Sequence, residues 1–299
     1  MKKMIDKYIE YLCYQKNYSN YTTENYKEDL LFFHDYLEKE CLNYLEIKYQ
    51  DLHLFFNYLD SFKYSKNTIS RRISSIRSFY KFLVRNKYID YNPFELVSLP
   101  KKDKKLPKFL YYNELEALFE IPDLKTPLGV RNRLILELLY ATGMRVGELE
   151  NIKINDINTS EKNIKILGKG NKERIAYYGD YVKEYLSLYL KSARKILLKN
   201  KLDEDYLLLN NNGTRLTSRG IRLVIDDIIN KSCLDTKISP HTLRHTFATH
   251  LLNEGCDILS VQELLGHESL KATQIYTHIT NETLKNVYLK SHPRSNKKI

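Results

Sequence analysis

One interruption constrains this chain more than any other feature. Ser98–Lys108 reads SLPKKDKKLPK, two prolines bracketing a lysine-rich run with almost no apolar content. Such a stretch neither continues a helix nor adds to a core, so it is expected to be an extended, hydrated linker. It divides the 299 residues into a part spanning 1–97, a joint at 98–108 and a part spanning 109–299. Each flanking part is long enough to bury a core of its own.

The two parts carry different patterns. Before the joint, apolar residues recur at helical spacing and strand-like alternation is absent. Ile5, Tyr8, Ile9 and Leu12 form one stripe, and Tyr26, Leu30, Phe33 and Leu37 a second. Thr22 or Thr23 is the expected N-cap of the second helix, with Glu24 in its first turn. A third helix is expected from Thr68 to about Asn86, with Ile69, Ile73, Ile76, Tyr80 and Leu83 on its apolar side. Its other side carries Arg71, Arg72, Arg77, Lys81 and Arg85. A solvated face is the simplest account of such a side, but in a basic chain phosphate contact is the stronger expectation for Arg71, Arg72, Arg77 and Lys81.

Beyond the joint the pattern mixes helix and strand. Helices are expected over Arg131–Tyr140, from Val146, over Tyr181–Lys199 and from a Ser218 cap to about Asn230. NIKIL (Asn163–Leu167) and RIAYY (Arg174–Tyr178) alternate as strands do, with GKGNKE turning between them, and Tyr206–Leu209 is strand-like. Ser239-Pro240 is a strong helix start, with Gly255 as its stop; Asp257 and Gly266 bracket the next helix. Tyr276 falls on a helix from about Leu270, and Glu282–Lys290 forms the last. The fold class is therefore mainly α with a small β component.

The formal charge of +11 favours a polyanionic partner, most often nucleic acid. Four scattered cysteines, Cys13, Cys41, Cys233 and Cys256, form neither a disulfide framework nor a zinc cluster, which fits a reducing, cytoplasmic setting. The N-terminus, MKKMIDKYIEYLCYQ, breaks into charge before an apolar signal region forms. No run of about 18 apolar residues is present, so no membrane helix is expected.

Six scattered residues suggest one chemistry. His241 and Arg244 are three apart on one helix and share a face. His267 follows Gly266 at a helix end, and Tyr276 lies nine residues on. Arg145 in ATGMRVGEL and Lys169 in LGKGNKER stand upstream. Metal-free phosphodiester cleavage needs cations around the non-bridging oxygens, a nucleophile and a proton for the leaving oxygen. Arg145 and Arg244 suit the first task, Tyr276 the second and Lys169 the third, while His241 and His267 can hold oxygens or move protons. Each residue alone has a plainer account. Tyr276 is an ordinary core position, GKGNK an ordinary turn, and Arg145 a partner for Glu148. His241, His245 and His250 lack the acidic or cysteine companions of a zinc site.

Taken with their contexts, these residues carry a likeness. ATGMRVGEL, LGKGNKER, SPHTLRHTFATHLL, VQELLGH, ATQIYTH and the terminal HPR (His292–Arg294) make the chain resemble the tyrosine recombinases, in particular those of the bacterial Xer type, over essentially its full length. The resemblance implies a helical SAM-like core-binding domain and a mixed α+β catalytic domain forming a C-shaped clamp on DNA. It implies catalytic roles for Arg145, Lys169, His241, Arg244, His267 and Tyr276, with Glu148 steadying the first arginine. The implied reaction passes through a 3′-phosphotyrosyl link and needs neither metal, ATP nor other cofactor. The implied partners are a double-stranded DNA recombination site, a homo- or hetero-tetramer of recombinase protomers and a cell-division DNA translocase. Leu259, where relatives often carry arginine, and Glu268, beside His267, are the two departures. An integrase of a mobile element, a non-cleaving architectural DNA-binding protein and a metal-dependent nuclease are the alternatives.

Overall fold

Apolar stripes at helical spacing before the joint, and a helix buried on nearly every side after it, set up two separate cores. In the computed structural model the chain divides into two compact units, Met1–Lys105 and Leu106–Ile299. The structure describes residues 1–16, 18, 20–100, 109–168, 173–199, 204–232, 238–266 and 281–296. Residues 101–108 of the expected joint lie outside these.

The first unit is built from α1 (Lys2–Tyr14), α2 (Asn20–Lys39), α3 (Leu52–Ser61) and α4 (Lys66–Arg85). Three stripes meet in its core. Tyr8 and Leu12, Leu30 and Phe33, and Ile73, Ile76 and Tyr80 are each at most 2% exposed. Aromatic edges fill the space between helices: Phe33 meets Phe55 at 4.8 Å and Phe94 at 5.6 Å, both edge-on. α4 starts two residues before Thr68 because Ser65 accepts the Thr68 N–H at 3.2 Å. The expected cap of α2 is corrected too. The helix already runs at Asn20, and Thr23 turns its hydroxyl back to the Asn20 carbonyl at 2.9 Å.

The second unit is organised around α6 (Pro127–Thr142), buried along nearly its whole length. Its leucine-rich sequence places it inside the protein, with its charged Arg131, Arg133 and Glu137 buried as well, and its neighbours include α8 (Asp180–Leu188) and α11 (Pro240–Asn253). Thr126 caps its start and Gly143, at φ 57°, its end. That turn requires glycine twice over: the backbone is left-handed, and a Cβ would lie 2.6 Å from Phe247 Cδ1. α5 (Tyr112–Glu120) packs on the same helix, and α7 (Val146–Glu150) follows it directly.

A meander of β1 (Ile157–Asn158), β2 (Asn163–Leu167) and β3 (Glu173–Tyr177) forms the sheet. β2 and β3 pair antiparallel with Ile164 opposite Ala176 and Ile166 opposite Arg174. The expected strand at Tyr206–Leu209 is reduced to two isolated bridges, Lys153 with Tyr206 and Leu209 with Arg215. The expected long helix over 181–199 is split into α8 and α9 (Arg194–Leu198) by a wider π turn at Tyr189–Ala193. Tyr189, within that turn, is buried and accepts the Leu209 N–H on its hydroxyl. Thr217 rather than Ser218 caps α10 (Ser218–Lys231), and Asp257 caps α12 (Ile258–Leu265).

α13 (Asn281–Ser291) leads into a buried tail. Arg294 there binds the fully buried Glu137 of α6 through Nη2 at 2.5 Å and Nε at 3.1 Å.

Candidate active site

Local chemistry places Arg145 first. α6 ends at Gly143, and the chain re-enters a helix after Arg145, which is the N-cap of α7. Glu148, three residues on, accepts the Arg145 N–H at 2.8 Å and its Nη1 at 2.8 Å. Glu148 is nearly buried, yet 41% of the Arg145 side chain remains exposed. One edge of the guanidinium is therefore fixed while the rest is open to a ligand.

α11 brings the next pair. Ser239 caps it by accepting the Thr242 N–H, and Pro240 takes the first helical position. His241 follows, exposed, in the first turn, and Arg244 lies one turn on, buried. Arg244 donates to the carbonyl of Gly143 at 2.5 Å and to that of Leu265 at 2.8 Å. These carbonyls terminate α6 and α12, where helices leave acceptors unpaired and carry partial negative charge. Arginine therefore completes two helix ends and gains a rigid seat in return.

Arg145, Glu148, His241 and Arg244 line one cavity of about 610 Å³, with Asn151, Gly168, Arg222 and Asp226 also on its wall. Gly168 immediately precedes Lys169 in the chain. Lys169, His267 and Tyr276, with Glu268, the expected helix from Leu270 and Cys233, lie outside the described residues.

Arg174 was not among the sequence candidates. It stands opposite Ile166 in the ladder, in phase with Ala176 and on the buried side of the sheet. Its Nη2 donates to Glu148 Oε2 at 2.9 Å and its Nη1 to the Leu264 carbonyl at 2.7 Å. The parity of the strand was the available signal, since an arginine in register with buried residues demands a partner.

The comparisons with known proteins decide what this arrangement belongs to. Residues 108–283 match the model of the phage integrase family, and residues 5–87 match its N-terminal SAM-like domain. A tyrosine recombinase XerC of Anoxybacillus flavithermus is 51% identical, over 96% of this chain and 97% of that one. The chain belongs to the phage integrase family of tyrosine recombinases. A XerC of Bacillus subtilis is 48% identical over 100% of this chain and 99% of that one. A crystal structure of the XerH site-specific recombinase on palindromic difH substrate, a post-cleavage complex, superposes with TM-score 0.71 at 27% identity. It covers 92% of this chain and 81% of the XerH chain. The protein is thus a DNA-cleaving and rejoining enzyme with a SAM-like helical domain and an integrase catalytic domain.

The electrostatics of the recombinase pocket suit a doubly bound anion. Burial, then the neighbouring charge of Arg145, pushes Arg244 down to about 10, with Glu148 opposing and Arg174 adding to the fall. It stays protonated at neutral pH. The fold thus holds like charges together at a cost that an anion in the cavity would relieve. Burial acts to raise Glu148. The charge of Arg174 and the hydrogen bonds from Arg145 outweigh it and hold the carboxyl below its usual range.

The cations expected on α4 do not form one outward stripe. Arg72 lies between the rings of Phe32, at 3.7 Å, and Tyr64, at 4.4 Å. Arg77 donates to the carbonyls of Phe94, at 2.8 Å, and Val97. Arg71 pairs with the buried Asp29 at 2.5 Å but keeps 40% of its side chain exposed. Lys81 lies exposed. The physical reason is that burying the Asp29 carboxylate and the free carbonyls after α4 requires donors, and the nearest arginines supply them. Among the described residues no helix is long and apolar enough to cross a membrane.

Proposed function

We propose that the recombinase acts on a chromosomal recombination site and resolves chromosome dimers at cell division in the cytoplasm. In this reading Tyr276 is the nucleophile. Arg145 and Arg244 grip the non-bridging oxygens of the scissile phosphate, His241 and His267 hold oxygens or shuttle protons, and Lys169 protonates the leaving group. Glu148 positions Arg145. The Tyr276 phenol gives up its proton to a basic group of the site, its oxygen bonds to phosphorus, the P–O5′ bond breaks, and O5′ leaves with the proton from Lys169. The 3′-phosphotyrosyl ester keeps the energy of the broken bond, so religation by a 5′-hydroxyl needs no ATP. The two units would close on duplex DNA as a clamp, Lys81 and the exposed part of Arg71 contributing phosphate contacts. Four protomers, of this chain alone or with a second recombinase, would hold two duplexes, with a cell-division DNA translocase as activator.

One observation carries the reading: Arg145, Glu148, His241 and Arg244, far apart in sequence, line a single cavity. The XerC relatives and the XerH complex with its difH substrate support the choice of substrate. The test is incubation of the purified protein with nicked duplexes from its own replication-terminus region, followed by denaturing electrophoresis. A covalent protein–DNA band that disappears in Tyr276→Phe is expected. Binding without such a band would leave an architectural role, and cleavage abolished by EDTA a metal-dependent nuclease.

A further inference from the structure

Arg174 touches three parts of the site at once. Its backbone belongs to β3, one ladder pair from Leu167–Glu173, the last pair before residues 168–172, which include Lys169. One arm of its guanidinium reaches Glu148, the residue that steadies Arg145. The other reaches the Leu264 carbonyl at the end of α12, three residues before His267. Gly266, at φ 63°, gives it room: a Cβ there would lie 2.7 Å from Arg174 Cδ.

These contacts close a circuit that includes Arg145, Glu148 and Arg244 of the cavity wall. Arg145 binds Glu148, Glu148 binds Arg174, and Arg174 holds the end of α12. Arg244 binds that same end and Gly143, two residues before Arg145. The Arg174 side chain is 14% exposed and its Nε is buried without a hydrogen-bond partner among the described residues. An apolar residue on this inner face of the sheet would serve stability as well or better. What the arginine adds is geometry, because a planar fork fixes two directions at once and a lysine fixes neither.

We propose that Arg174 is a positioning residue for leaving-group protonation. It ties the base of the β2–β3 hairpin, and with it Lys169, to the Arg145–Glu148 pair and to the end of α12. The inference rests on the reading of Lys169 as proton donor. In that step the P–O5′ electron pair stays on O5′, the lysine ammonium gives it a proton, and the Tyr276 oxygen takes the place of O5′ on phosphorus. A proton donor carried in the chain between β2 and β3 needs those strands fixed to stay in register with the arginines, and Arg174 fixes them.

The test compares single-turnover cleavage of two nicked duplexes, identical except that one carries sulfur in place of the bridging 5′ oxygen. A thiolate leaves without a proton, so that substrate bypasses the donor. Wild type, Lys169→Ala, Arg174→Met and Arg174→Lys are measured at saturating DNA, with binding and thermal melting followed alongside. On the oxygen substrate Arg174→Met is expected to slow cleavage about 10²-fold, the lower end of what a general acid contributes. DNA affinity should change little, and on the sulfur substrate the rate should return near wild type, as in Lys169→Ala. Equal loss on both substrates, or no loss on either, overturns the proposal. Should Lys169→Ala itself fail to recover on sulfur, the lysine assignment falls and the link falls with it. If Arg174→Met melts below the assay temperature, Arg174→Lys, which keeps the charge beside Glu148, decides the matter on the same two substrates.

Discussion

Replacing Glu137 by leucine removes the negative centre of a buried triad. Its carboxylate is 0% exposed and accepts from Arg133 Nε at 3.0 Å and from Arg294 Nη2 and Nε at 2.5 and 3.1 Å. Both guanidinium side chains are 10% exposed. Each also lies over aromatic rings, Arg133 over Phe119 and Tyr185, Arg294 over Phe119 and Tyr181. Without the carboxylate these two positive groups share one apolar pocket, and losing one partner of a buried ionic group costs about 3–5 kcal/mol. For a unit of this size each kcal/mol moves the melting point by about 2–4 °C, so a fall of roughly 6–20 °C is expected.

Arg294→Met leaves Glu137 still paired with Arg133, so its cost should be about 1.5–3 kcal/mol, that of hydrogen bonds to a charged group. Replacing all three by methionine or leucine should recover most of the loss, since no unpaired charge is then left behind. The chain has no tryptophan, so calorimetry is the suitable assay, with hydrogen exchange assigning the affected transition to the second unit. Glu137→Leu costing under about 1 kcal/mol, or less than Arg294→Met, would refute the argument that the carboxylate is what makes this pocket tolerable.

Arg145→Ala and Arg244→Ala should each raise the cleavage barrier by about 3 kcal/mol, as for loss of one preorganised donor. Single-turnover rates and mobility shifts separate this from binding, and an equal collapse in affinity would contradict it. Stability of the second unit should fall below pH 6.5. His292 is fully buried and burial lowers its pKa from 6.5 to about 3. The unfolded chain therefore takes up a proton that the folded one refuses, and stability present above pH 6.5 declines as pH falls towards 3. The slope approaches about 1.4 kcal/mol per pH unit, to be read from denaturant titrations of wild type against His292→Gln; identical profiles for the two would exclude it. Gly143→Ala should destabilise by more than about 1 kcal/mol, the ordinary cost of a side chain at positive φ. Its Cβ would meet Phe247 and Leu265 and displace the carbonyl that seats Arg244. Melting and cleavage should both fall; an unchanged melt refutes the clash.

Much of this molecule is legible from residues close together in the chain. Ser239-Pro240 and Asp257 start helices, Gly143 and Gly266 end them, and the stripes of α1, α2 and α4 became the first core. The hairpin followed from alternation on either side of GKGNKE. These features depend on hydrogen bonds and periodicities spanning a few residues, so the local sequence determines them. Arg145 with Glu148 belongs here too, three residues apart within one turn.

Only the tertiary structure chose the partners of the other charged groups. Arg72 and Arg77 sit on the expected basic side of α4 but turn to rings and carbonyls of their own unit. Arg174 meets Glu148 across 26 residues and the end of α12 across 90, and Arg294 reaches Glu137 across 157. A sequence shows that a buried charge will need a counterpart, but not which one, because that is settled by the packing of apolar faces that bring distant segments together. Local pattern therefore determined the elements and the residue types of the site. Packing decided which arginines were spent holding the frame and which were left facing the cavity.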